Sequence, residues 1–433
     1  MDSRFRGNDE WAGPGTLDSR PWTPPIDLTS GAPFWPVRDG LLATYPPLTS
    51  DVECDVLVIG AGVTGALCAW QLVQAGLDTV VVDAREIGWG STSASTAFLM
   101  YDLDVSLVEL TDRIGRERAE GVYRAARDGV SELVAVDARR GTRGSRLVSR
   151  VPSLYFASRT SDAKKLAAEH EARTQAGLKV ELWDRAEIAR HFPFSRAAAL
   201  WHRDAAQVDP YAFTHALLAD GVRRGLRVYD RTVVGLRSSV IHRSATTDDR
   251  RLKSSTGAFL RADRLVYATG YETEQMLRQP AVHLHDTYAF ASEPVLDLGS
   301  WHERALIWET ARPYIYLRTT DDNRVLVGGG DDRHTTPERR DRALAEKTET
   351  LLRRARRMFP ELDLVPAFAW AGTFAESDDS MPYIGCHPRY PDSIFAACYG
   401  GNGTVFAMLA SEIVRDWCLG RKNEMAEWFG FGR

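Results

Sequence analysis

The segment at 55–65, DVLVIGAGVTG, constrains the fold of this 433-residue chain more than any other feature. Residues 55–59 form a short apolar, β-branched run, the pattern of a strand buried on both faces. Gly60, Ala61, Gly62, Val63, Thr64 and Gly65 follow at once and open a helical pattern with Val63, Leu67, Trp70 and Val73 on one side. Gly76 stands where such a helix stops. A second apolar run, TVVV at 79–82, ends directly at Asp83. A lone G-x-G-x-x-G is weak, but strand, glycine turn, helix, second strand and terminal acid in this order point to dinucleotide binding. Gly60 makes the tight turn, Gly62 admits the backbone to a pyrophosphate, and Gly65 lets helix and strand pack closely. The free amides at the helix start hold the negative charge. Asp83, 18 positions after Gly65, is placed to accept from ribose hydroxyls. The competing reading is a glycine-rich turn of an α/β domain with no ligand.

Charge and composition exclude several classes. Fifty-four Lys and Arg against 59 Asp and Glu give a net charge of −5, unlike a nucleic-acid binder with its basic face. No run approaches the ~18 consecutive apolar residues of a membrane span. The five cysteines fall at no metal-ligand spacing and form no disulfide framework, as expected of a reducing compartment. No metal site is expected. The start is polar and rich in Gly, Pro, Asp and Arg, with no apolar stretch for a secretory signal. Residues 1–32 are therefore expected to be a disordered, dispensable extension; MDSRFRGNDE resembles translated bacterial repeat DNA, and a start codon assigned too far upstream is the expectation. The expected location is cytoplasmic.

Amphipathic helical signals run through 104–140, and strand-like and helical pieces alternate at 150–158, 163–176 and 209–225. A strand at 228–236 leads into a polar hairpin-like stretch at 244–257, and 264–268 (RLVYA) is another buried strand ending in Thr269 and Gly270. Alternation at 312–318 and 324–327 indicates antiparallel sheet, a charged helix spans 337–359, and a last helix follows Gly400-Gly401-Asn402-Gly403. A Rossmann-type α/β domain with a strand-rich second domain inserted into it fits this order.

The fingerprint does not separate NAD from FAD; later residues favour the flavin. The 264–270 strand offers a second close backbone approach to a cofactor. The polar cluster Ser91-Thr92-Ser93-Ala94-Ser95-Thr96 supplies small hydroxyls where a pyrophosphate, ribityl chain or ring would lie. Gly401, Asn402, Gly403 and Thr404 open a helix whose amides and dipole suit negative charge on the edge of a reduced flavin. A simple helix-capping turn is the blander reading of that cluster.

Together these stretches resemble the DAO-type FAD-dependent oxidoreductases, the group of D-amino-acid oxidase, glycine oxidase, sarcosine oxidase and gamma-glutamylputrescine oxidase. The resemblance runs from about 33 to 420 and rests on DVLVIGAGVTGALCAWQL, QVDPYAFTHALL…GLRVYDRTVVGL, ADRLVYATGYET, RPYIYLRTTDDNRVLVGGGDD, and WAGTFAESDDSMPYIG followed by YGGNGTVFAML. It implies an α/β protein with a GR2-like Rossmann-type FAD-binding domain and an interleaved α+β substrate domain built on an antiparallel sheet. The expected FAD-binding segments are 51–145, 200–275 and 366–433, and the substrate segments 146–199 and 276–365. Gly60, Gly62, Gly65 and Asp83 would hold the ADP half, with Ala84 and Arg85 beside them; Asp83 replaces the commoner Glu. Val234 would bond adenine through its backbone, and Gly401 to Thr404 would meet the isoalloxazine edge. Ser91 to Ala94 depart from the usual Gly-Ala-Ser pattern. Where covalently flavinylated relatives carry Cys, this chain has Gly372, so noncovalent FAD is expected.

A strand at 312–318 would place Arg312, Tyr314, Tyr316 and Arg318 on one face. Two guanidiniums and two hydroxyls there suit a substrate carboxylate, and relatives use Arg and Tyr from this sheet for that purpose. Against it stands a solvent-facing strand whose arginines pair with Asp321 or Asp331. His283 and His285 share a spacing but lack further ligands, and Asp378 and Asp379 read as scaffold. The implied chemistry is oxidation of a C–N bond in a small amine or amino acid by hydride transfer to flavin, with O2 as acceptor and H2O2 as product. A flavin dehydrogenase acting on an amino acid or hydroxy acid and reporting to a quinone or carrier is the alternative; an NAD-dependent enzyme fits less well. A non-catalytic flavin-binding subunit or sensor is the reading from another class.

Overall fold

The computed structural model describes residues 26–140, 146–235, 251–277, 282–333 and 336–433. Two sheets organise them. In the first, strands run in the order Tyr383–His387, Tyr390–Ala397, Phe259–Tyr267, Val52–Ile59, Thr79–Val82 and Arg227–Tyr229, with Arg251–Lys253 pairing beside Phe259–Tyr267. Its centre is parallel: Val58 stands opposite Val81 on one side and Val266 on the other. Both faces must then be covered, which is why TVVV is buried at all four positions. The helices Val63–Gln74, Pro210–Arg223 and Gly403–Cys418 pack together in that cover. Leu67, Val81, Val266, Leu409 and Ile413 join in its core. This is a Rossmann-type layer.

The second sheet, among the described residues, has ten strands. Its order is Thr29–Gly31, Pro366–Ser377, Val282–Ser292, Val325–Arg333, Ile315–Thr319, Leu306–Glu309, Val148–Phe156, Ala198–Val208 and Phe98–Leu99, with Glu181–Asp184 alongside Ala198–Val208. Pairing is antiparallel except between Leu306–Glu309 and Val148–Phe156. The long helix Pro337–Met358 lies against five of these strands. Leu351, Leu352 and Ala355 point from it into a core shared with Phe290, Leu317 and Val327.

The sheets redraw several expectations. Ala198–Val208, Pro366–Ser377 and the short Phe98–Leu99 pair within the second sheet, although they fall in the segments expected around the cofactor. Residues 1–25 of the expected extension lie outside the described residues, but 26–32 are built into the fold. Thr29 pairs with Gly372 and Gly31 with Trp370. The buried Arg340 binds this segment through Asp27, Thr29 and Ser30 and also donates to Thr373. Such a polar strand is recruited by tertiary hydrogen bonds that its own sequence does not announce.

The expected strand at 228–236 is short: Arg227–Tyr229 pairs, Val234 makes one bridge to Ser254, and 236 lies outside the described residues, as do 244–250 of the hairpin-like stretch. The strand expected from 312 begins at Ile315, after Pro313, which has no amide to give a ladder. The helical signals over 104–140 correspond to two helices, Leu107–Ile114 and Arg116–Arg139, separated by Gly115 with φ 85°. No described helix is long and apolar enough to cross a membrane.

Candidate active site

The carboxyl ends of the first sheet's central strands open into a cleft, where parallel sheets ordinarily bind ligands. Its empty space, counting the part open to solvent, is about 1480 Å³. Gly60 turns out of the first strand with φ 107°, and a Cβ there would fall 2.3 Å from the Ala268 carbonyl oxygen. A Cβ on Gly65 would fall 1.8 Å from the Gly60 carbonyl oxygen. Strand, turn and helix thus approach as closely as backbone permits. Gly62 caps the helix Val63–Gln74, and the Val63 amide donates to the Thr92 hydroxyl at 3.0 Å.

Asp83 closes the second strand. Its Oδ2 accepts from the Ala61 amide at 2.6 Å and its Oδ1 from the Arg85 amide at 2.8 Å. Burial pushes its carboxyl up to about 6 against the opposing pull of those amides and of Arg85. The Arg85 guanidinium is already engaged, by Glu272 at 2.7 and 3.1 Å and by the Ile26 carbonyl at 2.8 Å. The cleft continues past Val234 at one end and past Thr269, Gly270, Gly401, Gly403 and Thr404 at the other.

Of the residues singled out from sequence, Gly60, Gly62, Val63, Thr64, Asp83, Ala84, Arg85, Ser91, Thr92, Val234, Thr269, Gly270, Gly401, Gly403 and Thr404 line this cleft. Ala61 and Gly65 lie behind it as bonding and packing positions. Ser93 is buried and bonds the Gly90 carbonyl, while Ala94 and Asn402 line a neighbouring cavity. An extended cleft with helix-start amides, an acid at the second strand end and glycine walls fits the shape and donor set of FAD. Cys398 lines the cleft, but burial pushes its thiol up to about 12, so it stays protonated.

The neighbouring cavity shares Ser91, Ser95, Phe98, Tyr271, Gly400 and Gly401 with the cleft and extends about 880 Å³ toward the second sheet, again counting the open mouth. Asp104 stands at the junction: its Oδ2 accepts from the Gly401 amide at 3.0 Å and its Oδ1 from the Tyr314 hydroxyl at 3.2 Å. Tyr316 lies edge-on to Phe98 with ring centroids 5.3 Å apart, and its hydroxyl is 3.4 Å from that of Thr287. Gly328 makes this placement possible, since a Cβ there would sit 2.3 Å from the Tyr316 ring. Asp331 completes the polar wall. Its Oδ1 is buried and accepts no hydrogen bond. Burial raises its carboxyl to about 6, the Asp104 and Glu376 charges acting in the same direction and the Thr287 hydroxyl and Arg312 against it.

The structure separates the four residues expected on one strand face. Tyr314 and Tyr316 line the cavity; the two arginines do not. Arg312 is exposed, lies over the Tyr314 ring at 4.6 Å and donates to the carbonyls of Asp104 at 3.0 Å and Ala311 at 3.1 Å. Arg318 is buried, and its Nη1 donates to the carbonyls of Thr96, Ala97 and Val208 at 3.0, 2.9 and 3.0 Å. Burial pulls it down to about 9. Arg318 ties residues 96–97 to Val208, and neither Arg312 nor Arg318 is among the residues that line the cavity, so the expected one-face cluster of four is not brought together there. His283 pairs with Asp378 at 2.9 Å on the surface, Asp379 pairs with Arg433 at 2.8 Å, and no group of three metal-ligating side chains occurs among the described residues.

A buried ionic network that the sequence did not flag holds Asp104 in place. Asp102 accepts from Arg173 and, at 2.6 Å, from His202, and Arg173 also donates to Glu169 at 2.7 Å. Although burial acts to raise it, His202 and Arg173 keep the Asp102 carboxyl below the ordinary range. Glu169 in turn caps the helix Leu107–Ile114 through the amides of Leu107 and Val108. Asn402 reaches back to the carbonyls of Met100 and Asp102 at 2.8 and 3.0 Å. The loop carrying Asp104 is therefore fixed from both sides.

The sequence model of the family described as FAD dependent oxidoreductase (DAO) matches residues 55–417. The glycine oxidase of Bacillus licheniformis is 25% identical over 385 residues, covering 87% of this chain and 96% of that one. The gamma-glutamylputrescine oxidoreductase of Escherichia coli (strain K12) is 25% identical over 390 residues, covering 87% and 86%. Among solved structures, the glycine oxidase from Geobacillus kaustophilus shares the fold with a TM-score of 0.71 at 18% identity, over 87% of this chain and 98% of that one.

Proposed function

Because this chain belongs to the DAO family of FAD dependent oxidoreductases, we propose that it oxidises the C–N bond of a small amine or amino acid with O2 as electron acceptor. Similar proteins named glycine oxidase and gamma-glutamylputrescine oxidoreductase support an amine as the reacting group. The observation that carries the reading is the junction of the two cavities at Gly400 and Gly401, where a bound redox group and a small substrate would meet.

FAD would lie noncovalently in the long cleft. The amides of Gly62, Val63 and Thr64 would face the pyrophosphate, Asp83 the ribose, and Val234 the adenine. Ser91, Thr92, Thr269 and Gly270 would flank the middle of the cofactor, and Gly401, Gly403 and Thr404 its reactive edge. Gly372 and the protonated Cys398 support a noncovalent group, since neither offers a nucleophile. When bound, the flavin supplies two-electron acceptance at N5.

The remaining work belongs to the chain. Trp308 and Phe374 wall the substrate cavity and limit water beside the reacting carbon. Tyr314, held by Asp104 Oδ1, presents a fixed hydroxyl, and Tyr316 and Thr287 present two more that orient the substrate. The Gly401 amide, just before the helix Gly403–Cys418, holds the Asp104 carboxylate at the junction. The substrate loses two electrons and two hydrogens to become an imine, which takes up water and separates into a carbonyl compound and ammonia or an amine. The two electrons and two hydrogens appear with O2 as H2O2.

An absorption spectrum of the purified protein, followed by anaerobic addition of amines and amino acids, tests this. Flavin bands that bleach with an amine, and peroxide formed stoichiometrically on admitting air, are expected. Bleaching without peroxide would redirect the electrons to a quinone or protein carrier. A flavin that no amine bleaches would overturn the proposal, as would a protein that binds no FAD.

A further inference from the structure

The charges around the substrate cavity carry a sharper statement, which rests on the reading above. Two carboxylates line the cavity, Asp104 from the loop at 100–106 and Asp331 from the strand Val325–Arg333, and no Arg, Lys or His among the described residues lines it. Glu376, half-buried on the strand Pro366–Ser377, adds negative charge that Asp331 feels. Arg312, which is not among the lining residues, lies over the Tyr314 ring with its guanidinium bonded to main-chain carbonyls, and its charge opposes those of Asp104 and Glu376 at Asp331. Arg318 faces carbonyls of the 96–97 turn and Val208.

The two carboxylates also differ in what they lack. Asp104 is satisfied by the Gly401 amide and the Tyr314 hydroxyl. Asp331 meets the Thr287 hydroxyl but keeps a buried Oδ1 with no hydrogen-bond partner of its own. A buried carboxylate oxygen without a donor is costly in the free protein and calls for one in the complex. A substrate carboxylate cannot supply it and would be repelled by both aspartates, whereas an ammonium supplies both charge and hydrogens.

We infer that this cavity takes a cationic amine that bears no carboxylate beside its reacting carbon, and that Asp331 receives a second cationic group of the same molecule. Diamines and longer polyamines have this chemistry; α-amino acids do not. Asp331 thereby sets specificity and Asp104 holds the junction end.

The test uses holoenzyme under anaerobic conditions and four probes: n-butylamine, 1,4-diaminobutane, 4-aminobutanoate and glycine. Binding is read both as heat and as the concentration that half-perturbs the flavin spectrum. The diamine is expected to half-saturate at a concentration at least tenfold below that of n-butylamine, and 4-aminobutanoate and glycine at least tenfold above it. In Asp331→Asn the diamine and n-butylamine should come within about twofold of each other, because the carboxamide removes the charge but not the shape. Tighter or equal binding of 4-aminobutanoate or glycine overturns the inference, as does a diamine preference that survives in Asp331→Asn or cationic probes that fail to bind. The wild-type comparison decides the matter even where the variant does not fold. Protein without flavin would overturn the parent reading instead, so the two failures are distinguishable.

Discussion

The Asp104 carboxylate accepts the Gly401 amide at 3.0 Å, joining the loop that borders the substrate cavity to the glycine turn that borders the cofactor cleft. The same side chain holds the Tyr314 hydroxyl, so one carboxylate ties the turn before the helix Gly403–Cys418 to the segment that leads into the strand Ile315–Thr319. Asp104→Ala should leave flavin content unchanged and lower kcat/KM for the preferred amine about 10- to 100-fold, since hydrogen bonds to a charged group are worth about 1.5–3 kcal/mol. Asp104→Asn should recover part of the loss. Steady-state kinetics beside flavin absorbance separate the effect from loss of cofactor; unchanged kcat/KM in the Ala variant would remove Asp104 from the site.

Gly65 and Gly62 should fail in different ways. A methyl at Gly65 meets the Gly60 carbonyl at 1.8 Å, whereas one at Gly62 meets only the Thr92 hydroxyl at 2.9 Å. Gly65→Ala is expected to cost about 1–3 kcal/mol or more of stability, seen as a lower Tm of the flavin-stripped protein. Gly62→Ala should keep that Tm within about 1 °C, roughly 1 kcal/mol or less for a chain of this length, and instead lose flavin on gel filtration. Equal Tm losses in both would mean that Gly62 serves packing alone.

Asp331 should couple binding to pH. Its carboxyl, raised to about 6 mainly by burial, faces Asp104, Glu376, Arg312 and the Thr287 hydroxyl. Above about 6 it is charged, so attraction for an ammonium is present there and is lost as pH falls through that value. In steady-state assays the Michaelis constant for the diamine should rise toward tenfold per pH unit below about 6, while that for n-butylamine rises less; alkylammoniums, with pKa near ~10.4 like lysine, stay charged throughout. Stability runs the other way. A carboxyl with a raised folded pKa favours the fold when protonated, and that contribution is lost as pH rises through about 6. The Tm advantage of Asp331→Asn over the parent should therefore be larger at pH 8 than at pH 5.

Arg318 should prove structural. Replacing it by Leu leaves the carbonyls of Thr96, Ala97 and Val208 without their buried donor, a loss of about 3 kcal/mol or more. Thermal or denaturant unfolding should show this, with amine KM in the surviving protein changed less than threefold. An Arg318→Leu protein of normal Tm whose KM for carboxylate-bearing amines rises sharply would return the residue to substrate binding.

The parts legible in the sequence were those whose cause is local. A β-branched run must bury both faces, a helix after Gly62 must cap itself, and an acid at the end of 79–82 must meet whatever lies there; the structure contains each of these elements. Roles defined by distant partners were not legible. Arg318 in an alternating strand looks the same whether it faces solvent, substrate or three carbonyls. The strand Thr29–Gly31 has no apolar pattern because Arg340, more than 300 positions away, makes its bonds. Asp104 is an isolated acid with no motif around it, Asp331 reads from sequence only as the end of the GGGDD stretch or a partner for a surface arginine, and only folding brings the two to one cavity. The network of Asp102, Glu169, Arg173 and His202 was missed for the same reason.

Gly328 and Tyr316 give the substrate cavity an adjustable depth. The Tyr316 ring occupies the space that a side chain at 328 would take, so any larger residue there would drive the ring inward while every lining residue kept its identity. Substrate length in this scaffold can thus be retuned from behind the wall by one substitution on the neighbouring strand. Related chains could diverge in the molecules they accept while comparison of their pocket-facing residues alone found no difference.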